Sequence, residues 1–240
     1  MSPGPAASSE QARALDLAAE RQGVPSAMLM AVAGFQVARL ASRLLAEMSK
    51  PSPAVAVLVG KGNNGADALV AARHLAAWGT LVRCLVLGAP LSETAVDLSR
   101  AAAAAGAQLR QGVPRGGEWL AAADWALGEA SLVVDGLLGT GAKGAPRGDM
   151  AALIARVNRS SASVLAIDLP SGLDCDSGAA QGECVRADHT LMLGVAKRGC
   201  TVVEAGPWVG RPWVADIGIP GSCYLELGLE LPSPMGPDPA

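Results

Sequence analysis

The stretch from Ala54 to Gly79 constrains the fold more than any other part of the chain. It begins with Ala54–Val59, a short, uncharged and largely β-branched run that is typical of a strand buried on both faces of a parallel sheet. A loop rich in glycine and asparagine, residues 60–65, follows directly, and apolar residues then recur at helical spacing until Gly79. The pattern therefore predicts the strand, loop and helix from which α/β proteins build parallel sheets.

The loop over residues 60–65 has the form G-x-G-x-x-G and is predicted to bind an anion. The first turn of a helix has unpaired N–H groups and the positive end of the helix dipole, so it attracts phosphate. In the dinucleotide fingerprint an acidic residue ends the next strand, but here Leu81–Leu87 is followed by Gly88, Ala89 and Pro90. The sequence thus argues against an ordinary NAD-dependent dehydrogenase.

Two amide side chains in this loop, Asn63 and Asn64, exceed what a phosphate loop requires. Helix capping would account for one of them more readily than for both. A second glycine loop, residues 136–144, contains Lys143, which either neutralises a phosphate or is an ordinary solvated lysine. Both interpretations remain open at this stage.

Two further predicted strands end in aspartate. Asp135 follows the strand 131–134, and Asp168 follows the strand 163–167. The carboxyl ends of parallel strands share one edge of the sheet, where open α/β sheets bind ligands, so we expect Asp135 and Asp168 to surround one pocket. Asp168 is suited to acid–base chemistry there, although an aspartate at this place can also serve only to hydrogen-bond its own turn.

The rest of the chain alternates between helical and strand patterns. In order, the sequence predicts a helix capped at Ser8 and ended by Gly23, a helix over 26–48, a helix over 93–105, a short strand over 107–109, helices over 118–127 and 149–157, and strands over 187–193 and 213–218. Such alternation indicates a mostly parallel sheet with helices on both faces. The two leading helices are expected to cover one face or edge of it.

Composition limits the remaining possibilities. The chain has 240 residues, half of them hydrophobic, which predicts a single domain over residues 1–231 and a proline-rich, disordered tail over 232–240. A net charge of −3 and a single Phe and Tyr argue against nucleic acid as a partner. Five cysteines without C-x-x-C spacing indicate a reducing compartment rather than disulfides or zinc. No leader peptide or membrane span is predicted, so we expect a cytoplasmic protein.

Four motifs, in this order, resemble the NAD(P)H-hydrate epimerase family. They are Gly62-Asn63-Asn64-Gly65-Ala66-Asp67, Val134-Asp135-Gly136-Leu137-Leu138-Gly139-Thr140-Gly141, Ile167-Asp168-Leu169-Pro170-Ser171-Gly172-Leu173 and Ala187-Asp188-His189-Thr190. The likeness extends from about Arg13 to Pro220. It implies an α/β fold, a three-layer αβα Rossmann-like sandwich with a mostly parallel sheet and two leading N-terminal helices.

The resemblance also implies a function. The family interconverts the R and S forms of NADH or NADPH hydrated on the nicotinamide ring, and a separate dehydratase then restores the S form to the coenzyme. The substrate-binding residues implied by the motifs are Asn63, Asn64, Gly65, Ala66, Asp67, Gly139, Thr140, Gly141, Ala142, Lys143, Gly144, Ala145 and Asp168. Asp168 would be the acid/base with Lys197 as its electrostatic assistant, and Asn64, Asp135 and Ser171 would bind one potassium ion. No organic cofactor and a homodimer are expected.

Three alanines depart from the family pattern. Ala66 and Ala68 replace glycines of the first loop, and Ala31 replaces an acidic residue. These changes leave a second class of function open, a noncatalytic dinucleotide-binding or protein-interaction module of the same fold. Retention of all four of Asn64, Asp135, Asp168 and Ser171 favours the enzyme, because an interaction module does not need them together.

Overall fold

A computed structural model describes residues 6–48, 50–88, 92–112 and 118–232. The helices are α1 (Ser9–Arg21), α2 (Ser26–Glu47), α3 (Asn63–Ala77), α4 (Glu93–Ala104), α5 (Glu118–Leu127), α6 (Asp149–Val157), α7 (Arg198–Thr201), α8 (Gly206–Val209) and α9 (Gly221–Glu226). The strands are β1 (Ala54–Val59), β2 (Leu81–Leu87), β3 (Gln108–Gly112), β4 (Ala130–Gly136), β5 (Ser163–Ile167), β6 (His189–Leu193) and β7 (Arg211–Ala215). Of the predicted tail, only Pro232 is among the described residues.

The strands form one seven-stranded sheet in the order β3-β2-β1-β4-β5-β6-β7, and every pairing is parallel. Each residue of the interior strand β1 is buried, as its apolar, uncharged sequence predicts. The strand order reverses between β1 and β4, and α/β proteins bind ligands at the carboxyl ends of the strands beside such a reversal. The topology therefore points to the loops that follow β1 and β4.

Helices cover both faces of the sheet and confirm the three-layer αβα architecture. Helices α2, α3 and α4 pack against one face of the sheet, in a core that includes Leu44, Leu69 and Leu165. α5 and α6 cover the other face around Leu58 and Ile154. The sandwich is the arrangement expected when helices cross over between parallel strands.

α2 is the one helix in the described part of the chain that is long and apolar enough to cross a membrane. Half of its most apolar stretch is buried within the protein, as in a core helix. Gly34 allows this close packing, since a Cβ there would overlap Val70 of α3 and lie 2.7 Å from the carbonyl oxygen of Asp67. α2 therefore forms part of the αβα core, and its outer side remains exposed.

α1 does not lie on a face of the sheet. It begins with the predicted capping box, in which Ser8 accepts from the N–H of Gln11, and it packs with α9 against Val195 and Ile217 after β6 and β7. The preceding residue Ala7 forms a parallel bridge with Lys197. α1 consequently stands over the carboxyl ends of the late strands.

Several bounds in the sequence prediction need correction. β3 is Gln108–Gly112 rather than 107–109, β4 is Ala130–Gly136 rather than 131–134, and β6 is His189–Leu193 rather than 187–193. The last strand is Arg211–Ala215 rather than 213–218, and it includes Pro212, which an edge strand tolerates because its outer N–H groups need no partner. The short helices α7, α8 and α9 were not predicted. With four to six residues each, they are too short to show an apolar period.

Candidate active site

A long cleft opens at the carboxyl ends of the strands. It has a volume of about 1760 Å³, larger than an ordinary small-molecule pocket of roughly 300–1000 Å³. Its wall runs from Leu87 and Gly88 at the end of β2, past the start of α3, to Asp168 after β5. The cleft thus crosses the point of strand-order reversal and can take an extended ligand.

The first glycine loop meets this cleft through the start of α3. The N-cap residue is Gly62, which offers no side-chain cap, so the first N–H groups of α3 remain available to a ligand. Asn63, Asn64 and Asp67 line the cleft. The capping interpretation of the asparagines is wrong, because both lie inside the helix, and the Asn64 amide donates to the Leu138 carbonyl at 3.0 Å instead.

The glycines of this loop are needed for close backbone packing. A Cβ at Gly60 would overlap the Leu137 carbonyl, and a Cβ at Gly65 would overlap the Gly60 carbonyl. Gly65 and Ala66 are buried behind the cleft wall rather than part of it. That Gly65 and Ala66 help to bind the substrate stays a prediction, and they could do so only by supporting the backbone of the loop.

The three departures from the family pattern do not narrow the cleft. Ala66 and Ala68 are buried and do not line it. Ala68 packs over Gly136, where an added Cβ would lie 2.6 Å from the Ala68 methyl. Ala31 is exposed on α2, outside the cleft wall. None of these methyl groups obstructs a ligand.

The second glycine loop forms the opposite wall. Its cleft-lining residues are Leu137, Leu138, Gly139, Thr140, Gly141, Ala142 and Lys143. Gly144 and Ala145 do not line this cleft, and Gly144 borders a small neighbouring pocket. Gly139 packs on Asn64, since a Cβ at Gly139 would lie 3.3 Å from the Asn64 Cβ. The two loops therefore meet across the cleft, with Lys143 exposed at its edge.

Asp168 and Lys197 form an ion pair at the end of the cleft. The Lys197 ammonium contacts Asp168 Oδ1, and the two side chains are only 4% and 14% exposed. The same ammonium donates to the Leu193 carbonyl at 2.5 Å, and the Leu193 N–H donates to Asp168 Oδ1 at 3.2 Å. Among the described residues none donates to Asp168 Oδ2, so this oxygen is available to a ligand.

The backbone at Asp168 is strained. Asp168 is the one described non-glycine residue with a positive φ, +67°, and the Leu169 N–H donates to the Ile167 carbonyl at 2.8 Å across it. This is a γ-turn of the rare, positive-φ kind, which costs on the order of 1–3 kcal/mol. A carboxylate retained where glycine would be least strained indicates a functional role for the side chain.

Asn64, Asp135 and Ser171 surround the Leu137–Leu138 segment beneath the second loop. Asp135 is completely buried. It accepts from the Ser171 hydroxyl at 2.6 Å, the Ser171 N–H at 2.9 Å and the Leu137 N–H at 3.2 Å. The Leu138 N–H donates to the Ser171 hydroxyl at 2.9 Å, and the Leu138 carbonyl accepts from Asn64.

The expectation of one pocket shared by Asp135 and Asp168 is therefore wrong in its detail. Asp168 lines the cleft, whereas Asp135 is enclosed below it, because backbone N–H groups and Ser171 hold its carboxylate inside the protein. Burial raises the pKa of Asp135, and the hydrogen bonds from Ser171 and Leu137 oppose that rise. No cationic side chain of the described residues pairs with Asp135, and the donor atoms around it are all oxygens or N–H groups.

Comparison with known proteins identifies the family of the chain. The family described as YjeF-related protein N-terminus matches residues 26–199. The chain belongs to this family. The NAD(P)H-hydrate epimerase of Pirellula staleyi is 40% identical over 88% of this chain and 91% of its own length, and that of Rhodopirellula baltica is 38% identical over 88% and 81%.

Longer relatives and a solved structure extend the comparison. A bifunctional NAD(P)H-hydrate repair enzyme Nnr of Pyrobaculum aerophilum is 39% identical over 89% of this chain, which spans 42% of that protein. The crystal structure of the yeast protein ynu0 matches 98% of both chains with a TM-score of 0.82 at 21% identity. The yeast structure therefore shares the fold.

In this family member, two further carboxylates lie near Asp168: Asp67, which was predicted to bind substrate, and Asp16, which sequence reasoning missed. Asp16 of α1 and Asp67 of α3 both line the cleft. Burial, with Asp168 and Asp16 adding repulsion, raises the pKa of Asp67 well above its ordinary value. Asp16 remains accessible to solvent, but the cleft walls remove part of its hydration, and this raises its pKa to about 6. The positive charge of Lys197 opposes the rise. No local pattern in α1 marks Asp16, because only the docking of the helix brings it to the site.

Proposed function

We propose that this protein interconverts the R and S forms of hydrated NADH and NADPH. The observation that carries the proposal is the Asp168–Lys197 pair, which presents one unpaired carboxylate oxygen to a cleft bordered by two glycine loops. Membership of the family and the names of its curated relatives support the same activity. The protein is accordingly an isomerase of nicotinamide-nucleotide repair.

Inversion at the hydrated carbon requires that its bond to the hydroxyl oxygen or to the ring nitrogen breaks and forms again on the other face. A proton must move in either case, and Asp168 Oδ2 is the oxygen free to accept or donate it. Lys197 acts as a positioning residue and electrostatic assistant, since its ammonium holds Oδ1 and balances the charge of Asp168. The carboxyl groups of Asp16 and Asp67 surround the same end of the cleft.

The dinucleotide would be bound by backbone more than by side chains. We place its pyrophosphate at the N-terminus of α3, where Gly62 leaves the N–H groups uncapped, and beside the loop Gly139–Lys143. Asn63, Asn64 and Asp67 are in reach of the ribose and amide groups from the α3 side. This arrangement puts the hydrated ring at the Asp168 end.

A potassium ion is part of this proposal. Asn64, Asp135 and Ser171 would hold it together with backbone carbonyls of the Leu137–Leu138 segment, because a hard monovalent cation prefers neutral and anionic oxygens. The donor set fits: a fully buried carboxylate lies beside neutral oxygens and has no cationic partner among the described residues. When bound, the ion would supply a positive charge that fixes the geometry of the second loop. The described residues include no cluster of three His, Cys, Asp or Glu side chains for another metal.

A homodimer is proposed on the exposed side of α2. Apolar side chains there form one stripe with the end of α3, namely Met28, Val32, Phe35 and Trp78, which are 60%, 38%, 39% and 47% exposed. Phe35 and Trp78 stack edge to face at 5.9 Å. Such a contiguous apolar surface is typical of a protein interface.

The proposal also includes a cytoplasmic location and functional coupling to a separate S-specific dehydratase. All five cysteines are unpaired and buried, as expected in a reducing compartment. The bifunctional relatives, named as repair enzymes, are longer than this chain, which covers 42% and 38% of two of them.

The decisive experiment mixes the purified protein with the R form of hydrated NADH and an independent S-specific dehydratase. Accelerated loss of the R form supports the epimerase. Binding of the hydrate without acceleration would replace the proposal by the noncatalytic module, and tight binding of intact NADH with hydride transfer would indicate a dehydrogenase. Heat-inactivated protein serves as the control for spontaneous epimerisation.

A further inference from the structure

We infer that Lys61 selects the phosphorylated form of the substrate by binding the 2′-phosphate on the adenosine ribose of hydrated NADPH. The inference deepens the proposed function and rests on it. It concerns the end of the cleft opposite Asp168, which neither the family resemblance nor the catalytic pair explains.

The sheet topology sets the direction of the ligand. Asp168 follows β5, and the strands β4, β1 and β2 lie next to it in turn. Adjacent strands are about 4.8 Å apart, so the tips of β5 and β2 are separated by about 14 Å. A dinucleotide with its hydrated ring at Asp168 and its pyrophosphate at α3 therefore extends its adenosine toward β2.

The β2 end of the cleft has an apolar wall and a cation. Leu87 and Trp119, which are buried to more than nine-tenths, line the cleft and offer a surface for a base. Lys61 lines the same end. Its stem lies along Gly88, because a Cβ at Gly88 would overlap Lys61 Cε and lie 3.1 Å from Cγ. The absence of a side chain at Gly88 thus makes room for the lysine.

The backbone that supports this contact is fixed. The Gly88 N–H donates to the Gly112 carbonyl at 3.2 Å, and the Gly88 carbonyl accepts from the Gln111 side chain at 2.8 Å. Gly88 has a φ of +99°, which a residue with a side chain rarely adopts. Lys61 is consequently held by its stem while its ammonium remains exposed and forms no ion pair with the described residues.

The charge at this position discriminates between the two coenzyme forms. In NAD-binding sites a carboxylate at the end of the second strand binds the ribose 2′-hydroxyl and repels a 2′-phosphate, whereas a cation nearby accommodates the phosphate. Residues 87–92 contain no Asp or Glu. With Lys61 in the place that such a carboxylate would face, the site favours the dianionic form.

The test compares epimerisation of both hydrates by the wild type, Lys61→Met and Lys61→Arg, with excess S-specific dehydratase. Lys61→Met keeps the stem and removes the charge, and we expect kcat/KM for hydrated NADPH to fall about tenfold further than for hydrated NADH, equivalent to about 1.4 kcal/mol. Lys61→Arg should retain the wild-type ratio. Lys143→Met, at the proposed pyrophosphate, should lower both values in parallel. Equal losses for the two hydrates in Lys61→Met would overturn the inference, since they would place Lys61 at the pyrophosphate.

A binding measurement separates this inference from the epimerase itself. Calorimetry with adenosine 2′,5′-bisphosphate and with 5′-AMP needs no catalysis. We expect the wild type to prefer the bisphosphate, Lys61→Met to lose that preference, and the preference to shrink at high salt. Equal affinities in the wild type, or a preference that survives in Lys61→Met, would refute the role of Lys61. A wild type that prefers the bisphosphate yet epimerises neither hydrate would refute the proposed function alone.

Discussion

Asp168→Asn tests the chemistry directly. Asparagine has nearly the same shape, tolerates a positive φ, and keeps an oxygen for the Leu193 N–H, so the γ-turn should persist. The variant loses the group that accepts and donates a proton. General acid–base catalysis contributes about 10²–10⁴-fold, so we expect kcat to fall by that factor, or about 2.7–5.5 kcal/mol of barrier. The affinity for the hydrate should change by less than about threefold, because most of the proposed contacts come from the glycine loops, which are distant from residue 168.

The same substitution also has a predictable cost in stability. It removes the carboxylate that pairs with the Lys197 ammonium, in a side chain only 4% exposed. Removing one partner of a buried pair costs about 3–5 kcal/mol, and the retained amide oxygen should keep the loss near the lower bound. Thermal unfolding must therefore accompany the kinetics, to show that the variant is folded at the assay temperature.

Asp149→Asn is the matched control. Asp149 lines the same cleft at the start of α6 and carries the same charge, but it is not paired with Lys197. We expect its kcat to remain within about twofold of the wild type, as for a substitution away from the reacting atoms. Turnover by Asp168→Asn within about tenfold of the wild type, with the fold intact, would refute the assignment of Asp168 as the acid/base.

Three further outcomes follow from the structure. Potassium at ten times its Kd should stabilise the protein by about 1.4 kcal/mol relative to tetramethylammonium at equal ionic strength. Ser171→Ala should abolish the resulting difference in Tm. Equal Tm values of the wild type in the two salts would exclude the ion. Because the folded protein raises the pKa of Asp16 from 3.8 to about 6, the stability it contributes is complete below 3.8 and is lost as the pH rises through 6. The wild-type Tm should therefore fall more steeply over that range than the Tm of Asp16→Asn, and parallel curves would contradict this cause. In light scattering, Phe35→Asp should convert a dimer into a monomer. Leu225→Asp, at an exposed apolar residue away from the stripe, should leave the dimer intact. A monomeric wild type would reject the interface.

The strands and helices with strong local patterns were predictable from sequence alone. β1 and β2 have the predicted bounds, since each is an apolar run closed by glycine or proline. The Asn63–Asn64 pair was recognised as unusual because an ordinary phosphate loop does not require it, and Asp168 was recognised as a candidate because it ends a predicted strand. The sequence pattern identified these residues, but it did not identify the groups that they contact.

What sequence could not supply depends on contacts between distant segments. Asp16 reaches the cleft because Ala7 bridges to Lys197 and brings α1 over the late strands, a contact between residues nearly 200 positions apart. The enclosure of Asp135 depends on the Ser171 N–H and hydroxyl, which a strand-end pattern does not reveal. The positive φ of Asp168 is equally invisible in the sequence, because a local pattern would predict glycine at such a position.

The Leu138 peptide connects the buried oxygen cluster to the cleft. Its carbonyl accepts from Asn64, in the first turn of α3, and its N–H donates to Ser171, which is hydrogen-bonded to Asp135. The next residue, Gly139, also lines the cleft, and it packs on Asn64. A change in the charge balanced around Asp135 would therefore act on both walls of the proposed dinucleotide site through the backbone of one residue, Leu138. A cation in this cluster would consequently influence substrate affinity without touching the substrate, and the reciprocal effect, tighter cation binding in the presence of the dinucleotide, is required by linkage.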